Sequence, residues 1–304
     1  MKITISKTKL AIIALVVANI IWGATSPIFK WSLQDTDPFT FGFIRFLLAA
    51  LLILPFTIHK LKVSTGAMIK LFAISYLGLF LHITYLLFGL ELSSSINAPI
   101  IGSSAPVFLI IGSMFFLKER PKHRVIMGTI VSLAGVLLVI LQPVIESGLD
   151  GSLLGNIFFV LSTITAVIYA LLLKHFKMPY DIRTITFWLF AITAFMYFPF
   201  FLWESQGSSF LNQITSQAMI GIIFGAVFTS AIAYACFNFA LKYIVANETG
   251  IFFYVDPVIA IMVAIPLLGE KITPLYLAGS ILVFLGIFVA EKRIHFHPLH
   301  KLRH

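Results

Sequence analysis

The chain has 304 residues, of which 60% are apolar and only 11% are charged. Soluble domains are typically about 45–50% apolar and about 25% charged, so this composition excludes a soluble globular domain and a disordered chain. A net charge of +9 could indicate a nucleic-acid-binding protein, but the basic residues lie between apolar runs, as topology signals do. The sequence therefore predicts an integral membrane protein without a nucleic-acid partner.

Ten apolar segments, each of about the 20 residues that cross roughly 30 Å of hydrocarbon, predict ten transmembrane helices. In chain order they are helix 1 (Leu10–Phe29), helix 2 (Phe39–Ile58), helix 3 (Ala67–Leu90), helix 4 (Asn97–Leu117), helix 5 (Val125–Leu141), helix 6 (Ser152–Leu173), helix 7 (Thr184–Trp203), helix 8 (Gln217–Leu241), helix 9 (Asn247–Leu268) and helix 10 (Pro274–Ala290). The first run is too long for a signal peptide and is predicted to be a retained helix.

The basic residues predict the orientation of these helices. If the N-terminus lies inside, the inner segments hold all but three of the Lys and Arg residues. Lys30 and Lys271 lie in outer loops, and Arg45 lies within helix 2. By the positive-inside rule, both termini are expected to be cytoplasmic.

The two halves of the chain contain an internal repeat. At an offset of 151 residues, the coinciding pairs include Pro106 with Pro257, Val107 with Val258, Leu117 with Leu268, Glu119 with Glu270, Gly128 with Gly279, and Gly135 with Gly286. Helices 1 and 6 match at an offset of 147 residues, which aligns Trp22 with Tyr169. Because each half would hold an odd number of helices, the second half must insert with the opposite topology. The predicted domains are two inverted five-helix repeats, residues 1–145 and 146–304, and chance similarity between apolar segments is the alternative.

Five short motifs follow one another along the chain. They are Trp22-Gly23, Arg45-Phe46, Pro106 followed by Leu117-Lys118-Glu119-Arg120-Pro121, the pair Gly128 and Gly135, and Pro257 followed by Leu268-Gly269-Glu270. In this order the chain resembles the drug/metabolite transporter superfamily, in particular its ten-helix EamA-like branch. The resemblance implies two inverted five-helix bundles around a central cavity, a bacterial cytoplasmic (inner) membrane, and transport of small organic solutes, often by export. Lys118-Glu119 departs from the Gly-Glu common in the family, and Asp256 is not expected from its pattern.

Polar residues within the apolar segments are the candidates for proton coupling or gating. Asp256 lies near the middle of predicted helix 9, where burial favours the protonated acid, so it could carry a proton; a structural hydrogen bond to backbone freed by Pro257 is the alternative. Glu248 and Asn97 begin helices 9 and 4 and are predicted to gate opposite mouths of the cavity. A simple interaction with the helix dipole is the alternative for Glu248. Pro106 and Pro257 are predicted hinges, or else static kinks.

Further side chains are predicted to line a cavity for flat or amphipathic solutes, because each combines an apolar body with polar atoms. They are Trp22, Asn19, His82, Tyr85, Tyr169, Tyr234, Asn238 and Tyr254. Ordinary helix packing is the alternative, and for His82 a proton relay or a hydrogen bond to a neighbouring helix is also open. Arg45 is expected to snorkel outward or to pair with an acid.

Two smaller features indicate internal packing. Pairs with G-x-x-x-G spacing predict close helix contacts within the bundle: Gly151 with Gly155, and Gly221 with Gly225. Glu270 closes helix 9 and is expected to pair with a nearby basic residue such as Lys271.

These features together predict a secondary transporter that moves an amino acid, metabolite or drug-like solute by alternating access. Export is implied by the resemblance, and coupling to protons is expected through Asp256. The sequence contains no nucleotide-binding motif, so ATP is not expected to drive transport directly. An uncoupled facilitator or a channel is the alternative, and a membrane-embedded enzyme is a weaker one because its usual acid, histidine or nucleophile clusters are missing.

The sequence predicts few partners besides the solute. No cofactor or metal is expected, since Cys236 is the only cysteine and no second ligand stands at metal-binding spacing from His82. The basic tail from Glu291 to His304 is expected to contact anionic lipids. A monomer would suffice, because one chain supplies both halves of a cavity.

Overall fold

The structure is a computed structural model. It describes residues 7–105, 107–108, 123–148, 151–176, 178–206, 215–240, 243, 252 and 255–291. Within these ranges the regular elements are all helices, and no strand is present.

The helices follow the apolar segments closely. They are α1 (Lys7–Ser32), α2 (Pro38–Ile53), α3 (Thr65–Leu92), α4 (Asn97–Gly102), α5 (His123–Ser147), α6 (Gly151–His175), α7 (Ile182–Ser205), α8 (Ser216–Ile223, Phe224–Ile232 and Ala233–Ala240 in succession), α9 (Val255–Leu268) and α10 (Pro274–Glu291). Seven of the described helices are long and apolar enough to cross a membrane, and α9 and α10 are shorter apolar helices. The prediction of a multi-pass, all-α membrane protein is confirmed, while predicted helices 4 and 9 are described only in part.

Local capping groups lie at several of the described helix ends. The side chains of Ser64, Asp181 and Thr215 each accept a hydrogen bond from a backbone N–H in the first turn of α3, α7 and α8. Gly148 and Gly269 follow α5 and α9 with φ values of +83° and +67°, a conformation that glycine adopts without steric cost. These capping groups lie where the apolar runs of the sequence stop.

Helices α3 and α8 each contain a π-helical segment in mid-span, at Ser75–Phe80 and Phe224–Ile232. Such segments are frequent at functional sites. Each contains a glycine under a large side chain of another helix. A Cβ on Gly78 would lie 2.6 Å from the Cβ of Tyr169, and one on Gly225 would lie 2.8 Å from the Cδ of Arg45.

Four antiparallel helix pairs build the bundle: α1 with α8, α2 with α7, α3 with α6, and α5 with α10. Aromatic side chains fill the α2–α7 interface, where the ring centroids of Phe39 and Phe200 are 4.7 Å apart and Tyr197 covers Gly42. Glycines line the α5–α10 interface, and α9 packs along α1. The G-x-x-x-G pairs face other helices of the bundle, as predicted, since Gly155 meets Ser93.

Because the paired helices are antiparallel, their ends collect at two opposite ends of the molecule. We call one the acidic end, which holds Asp35, Asp37, Glu91, Glu204 and Glu270. We call the other the basic end, which holds His59, Lys60, Lys62 and Arg183. In the predicted orientation the acidic end is extracellular and the basic end is cytoplasmic.

Candidate functional site

The Trp22-Gly23 pair brings three helices together. The indole of Trp22 lies 5.5 Å from the ring of Tyr234 and 5.4 Å from the ring of Phe237, both on α8. On the next residue, a Cβ at Gly23 would lie only 2.7 Å from the carbonyl oxygen of Asp256 on α9. The absence of a side chain at Gly23 therefore lets α9 lie directly on α1, beside an aromatic pair.

Asp256 lies in the first turn of the described part of α9, which begins at Val255. The residues directly before Val255 lie outside the described residues, so the predicted mid-helix position of Asp256 stays a prediction. Pro257 is the next residue and is buried. The Oδ1 atom of Asp256 is buried and has no hydrogen-bond partner among the described residues, so it gives no support to a structural hydrogen bond at that atom.

Asn19 is fully buried on α1, one turn before Trp22. Its Nδ2 donates to the carbonyl oxygen of Leu15 at 2.8 Å, and its Oδ1 has no partner among the described residues. Asn19 thus leaves an unused acceptor in the interior of the bundle.

His82 fastens α3 to α6. Its Nδ1 lies 2.9 Å from the carbonyl oxygen and 2.8 Å from the hydroxyl of Ser162, and that hydroxyl donates to the carbonyl oxygen of His82 at 3.0 Å. One turn further on, the ring of Tyr85 stacks on that of Phe158 with a centroid distance of 6.0 Å. Together with Tyr169, which covers Gly78, these residues form one interface, in which Ser162 contacts the Nδ1 of His82.

Asn97 begins α4 and connects it with two other helices. Only 2% of its surface is exposed, and its Nδ2 donates to the Oδ1 of Asn156 on α6 at 3.0 Å. In turn, Asn156 donates to the carbonyl oxygen of Val139 on α5 at 3.1 Å, and Ser93 donates to Asn156 at 2.6 Å. This buried network closes the acidic end around the start of α4.

Glu270 reinforces that closure. Its carboxylate accepts hydrogen bonds from the Ser94 hydroxyl at 2.6 Å, the Ser95 N–H at 2.7 Å and the Ile96 N–H at 3.2 Å. The ion-pair partner is Lys30 on α1, with Nζ 3.6 Å from Oε1, and not the sequence neighbour Lys271. We call this arrangement of Glu270, Lys30 and residues 94–96 the Glu270 cap.

Glu204 performs a similar role for α2 at the same end. It accepts hydrogen bonds from the backbone N–H groups of Phe39 and Thr40, at 3.0 and 2.6 Å, and from the Thr40 hydroxyl at 3.0 Å. A carboxylate at a helix N-terminus satisfies free N–H groups and interacts favourably with the helix dipole. Glu204, in the last turn of α7, therefore holds the start of α2, and Glu270, just after α9, holds the segment before α4.

Arg45 is buried on α2, with 4% of its surface exposed. Its guanidinium carbon lies 4.8 Å from the centroid of Phe29 and 5.0 Å from that of Phe46. It neither snorkels to the surface nor pairs with an acid of the described residues, for which the sequence offered both possibilities.

Four predicted site residues are not placed by the structure. Pro106, Glu248 and Tyr254 lie outside the described residues, and only the backbone of Asn238 is described. Their predicted roles in hinging, gating and the cavity stay predictions.

Two open pockets lie at opposite ends of the bundle. The first, of about 740 Å³, lies at the acidic end and is lined by Asp37, Pro38, Phe39, Phe88, Glu91, Trp203, Glu204 and Gln206. The second, of about 550 Å³, lies at the basic end and is lined by Ile58, His59, Lys60, Leu61, Lys62, Tyr180, Asp181 and Thr184. None of the described cavity residues lines either of these two pockets. The groups around Trp22 and His82 instead contact side chains of neighbouring helices.

Comparison with known proteins agrees with the arrangement of helices. An uncharacterized transporter of Archaeoglobus fulgidus is 24% identical over 295 residues, covering 95% of this chain and 99% of that protein. The uncharacterized transporter YyaM of Bacillus subtilis (strain 168) is 28% identical over 279 residues, covering 90% of each chain. A protein of known crystal structure shares the fold, with a TM-score of 0.63 at 16% identity over 95% of this chain and 99% of its own.

The model of one protein family matches the chain twice. The EamA-like transporter family matches residues 9–141 and again residues 153–291, which together cover most of the sequence. The resemblance seen in the sequence motifs is thereby confirmed, and the chain belongs to the EamA-like transporter family.

Proposed function

We propose that this protein is a secondary transporter that exports a small organic solute across a bacterial cytoplasmic membrane by alternating access. Its two halves, residues 1–145 and 146–304, form inverted five-helix repeats, and both termini are cytoplasmic. Protons drive transport through Asp256. The chain works as a monomer, because it supplies both halves itself.

The α5–α10 interface carries the structural part of this proposal. A Cβ on Gly135 would lie 2.6 Å from the carbonyl oxygen of Gly279, and one on Gly286 would lie 2.6 Å from that of Gly128. At the offset of 151 residues, Gly286 is the counterpart of Gly135, and Gly279 is the counterpart of Gly128. The two contacts are therefore equivalent. A two-fold axis between antiparallel helices produces this equivalence, and inverted repeats place such an axis in the membrane plane.

The remaining helix pairs support the same symmetry. In the proposed repeat, each helix of the first half corresponds to the helix five places later. The α1–α8 pair then corresponds to the α6–α3 pair, and the α2–α7 pair corresponds to itself. The mid-span π segments of α3 and α8 also correspond, since Gly78 and Gly225 are 147 residues apart, the offset found for helices 1 and 6. Each half matches the family model separately.

The geometry favours a gated carrier over an open channel. The two end pockets share no lining residue, and packed side chains around Trp22 and His82 lie between the two ends. The Asn97 network and the Glu270 cap close the acidic end. Passage of a solute therefore requires these contacts to separate. Alternating access involves such an opening of one end at a time. Membership of a transporter family argues against a membrane enzyme.

Asp256 is the residue that best fits proton coupling. It is an acid with a buried, unpartnered oxygen, and its backbone lies against α1 at Gly23. An unpartnered carboxylate in a low-dielectric interior is stabilised by protonation, and movement of α1 relative to α9 would change its exposure to water. Uptake and release of one proton can in this way accompany each transport cycle.

Transport in proteoliposomes tests the proposal. The purified protein is reconstituted and offered mixed labelled amino acids and metabolites, with and without an imposed pH gradient. We expect saturable transport that the gradient accelerates in wild type and that the gradient no longer accelerates in D256N. The matched control is D181N, because Asp181 is a solvent-exposed cap at the basic end. Gradient-driven transport by D256N at the wild-type rate would contradict the assignment of Asp256.

A further inference from the structure

Arg45 lies deep within the bundle. It follows Pro38, the first residue of α2, by seven positions, which places it about 10 Å along the helix from the acidic end. With only 4% of its surface exposed, it cannot reach water in this conformation.

The guanidinium of Arg45 lacks the partners that a buried cation ordinarily has. Its Nε and Nη1 atoms are buried and have no hydrogen-bond partner among the described residues. The ion pairs in the described part of the chain are Lys30–Glu270 and Lys60–Asp181, so neither involves Arg45. The rings of Phe29 and Phe46 contact the cation, but such contacts compensate only part of the cost of removing a charge from water.

The fold makes specific room for this side chain. Gly225 lies in the π segment of α8, and a Cβ there would come within 2.8 Å of the Cδ and 2.9 Å of the Nε of Arg45. Phe29, which the guanidinium contacts, lies on α1, so Arg45 adjoins the interface between α1 and α8.

We propose that Arg45 binds the carboxylate of the transported solute, and that the substrates are organic monoanions with an apolar or aromatic body. A guanidinium presents parallel N–H donors that match the two oxygens of a carboxylate. One unpaired positive charge balances one negative charge, which favours a carboxylate over a phosphate dianion. The rings of Phe29 and Phe46 would contact the apolar body once α1 and α8 separate. This inference rests on the proposed transport function.

Matched acid and amide pairs test the charge requirement. The full-length protein in detergent is heated at neutral pH with benzoate or benzamide, phenylacetate or phenylacetamide, and 4-methylpentanoate or its amide, while intrinsic fluorescence reports unfolding. We expect at least one acid to raise the unfolding temperature while its amide does not. R45Q should raise the half-saturating concentration of that acid by at least about tenfold. This is the loss of affinity expected when a charged hydrogen-bond pair is removed.

Two further variants separate binding from folding. R45K keeps the charge and should retain part of the acid response, whereas R183Q removes an arginine at the basic end and should respond as wild type does. If R45Q does not yield a monodisperse protein, the wild-type preference for acid over amide and the R45K response decide the question. The assignment is overturned if no acid of the panel stabilises the wild type, if an amide stabilises it as well as its acid, or if R45Q responds like wild type.

The same panel in proteoliposomes distinguishes this inference from the proposed function. Saturable transport of neutral or cationic solutes, unaffected by R45Q, would leave the transporter proposal intact and overturn the role of Arg45. Absence of saturable transport for every solute offered would instead overturn the proposed function.

Discussion

The Glu270 cap offers the sharpest test of how the acidic end is held closed. Removing the carboxylate in E270A deprives the Ser95 and Ile96 N–H groups and the Ser94 hydroxyl of their acceptor, and leaves Lys30 without its ion-pair partner. In E270Q one carbonyl oxygen remains, but the charge and one acceptor position are lost. Because Glu270 is only 10% exposed, water cannot fully replace these bonds.

The magnitude follows from these contacts. A hydrogen bond to a charged group contributes about 1.5–3 kcal/mol, and neighbouring bonds are not additive, so E270A should lower the free energy of unfolding by about 3–5 kcal/mol. E270Q should lower it by about 1.5–3 kcal/mol. The ion pair with Lys30, whose side chain is 25% exposed, contributes at most about 1 kcal/mol of this.

Equilibrium unfolding in mixed detergent micelles measures these differences. A double-mutant cycle with S94A should return a coupling energy of about 1 kcal/mol or more for the Glu270–Ser94 contact. E146Q is the matched control, because Glu146 is exposed and accepts one hydrogen bond, from Gln142 at 2.9 Å. Losses of less than about 1 kcal/mol in E270A, or no larger than in E146Q, would refute the reasoning.

Two further predictions concern packing. G286V should abolish folded protein on size-exclusion chromatography, because a side chain at Gly286 collides with the backbone of Ser132, whereas G66V should fold, since nothing lies within 4 Å of a Cβ at Gly66. H82L should lower the free energy of unfolding by about 1–3 kcal/mol, because the Ser162 hydroxyl and carbonyl lose a partner, and H82N should recover part of that loss. If H82L unfolds with the same free energy as wild type in this assay, the contact between His82 and Ser162 does not contribute to stability.

The helix ends were predictable because hydropathy and capping agree with each other. Predicted helix 7 ran from Thr184 to Trp203, and α7 runs from Ile182 to Ser205, with Asp181 as its N-cap. Where a polar capping residue directly follows or precedes an apolar run, the helix end depends only on neighbouring residues. It can therefore be predicted from a single sequence.

The partners of the polar residues were not predictable in the same way. Glu270 was expected to pair with a basic residue nearby in the sequence, such as Lys271, but its ion pair is with Lys30 in the first helix. His82 was correctly placed on α3, yet nothing in the sequence indicated Ser162 as its partner on α6. These contacts depend on which helices pack together. In a chain this apolar, hydrophobic residues do not mark one face of a helix. Hydrophobic periodicity therefore does not predict which helices pack against each other.

The π-helical segments of α3 and α8 were also not predictable from the sequence. A π segment in α3 or α8 has the composition of an ordinary apolar helix, so periodicity alone does not reveal it. The separation of 147 residues between Gly78 and Gly225 was present in the sequence, and it could have indicated a shared irregularity. What it could not indicate is that Tyr169 and Arg45 lie over these glycines.

The glycine contacts between α5 and α10 have a consequence for the history of the chain. In the proposed inverted-repeat arrangement this interface is isologous, because equivalent glycine pairs meet across the two-fold axis. It would therefore join two separate five-helix polypeptides as well as it joins two halves of one. A half-length protein with these glycines, inserted in both orientations, would already possess the surface needed to form an antiparallel homodimer, and fusion of its duplicated gene would change the connection without changing the contact.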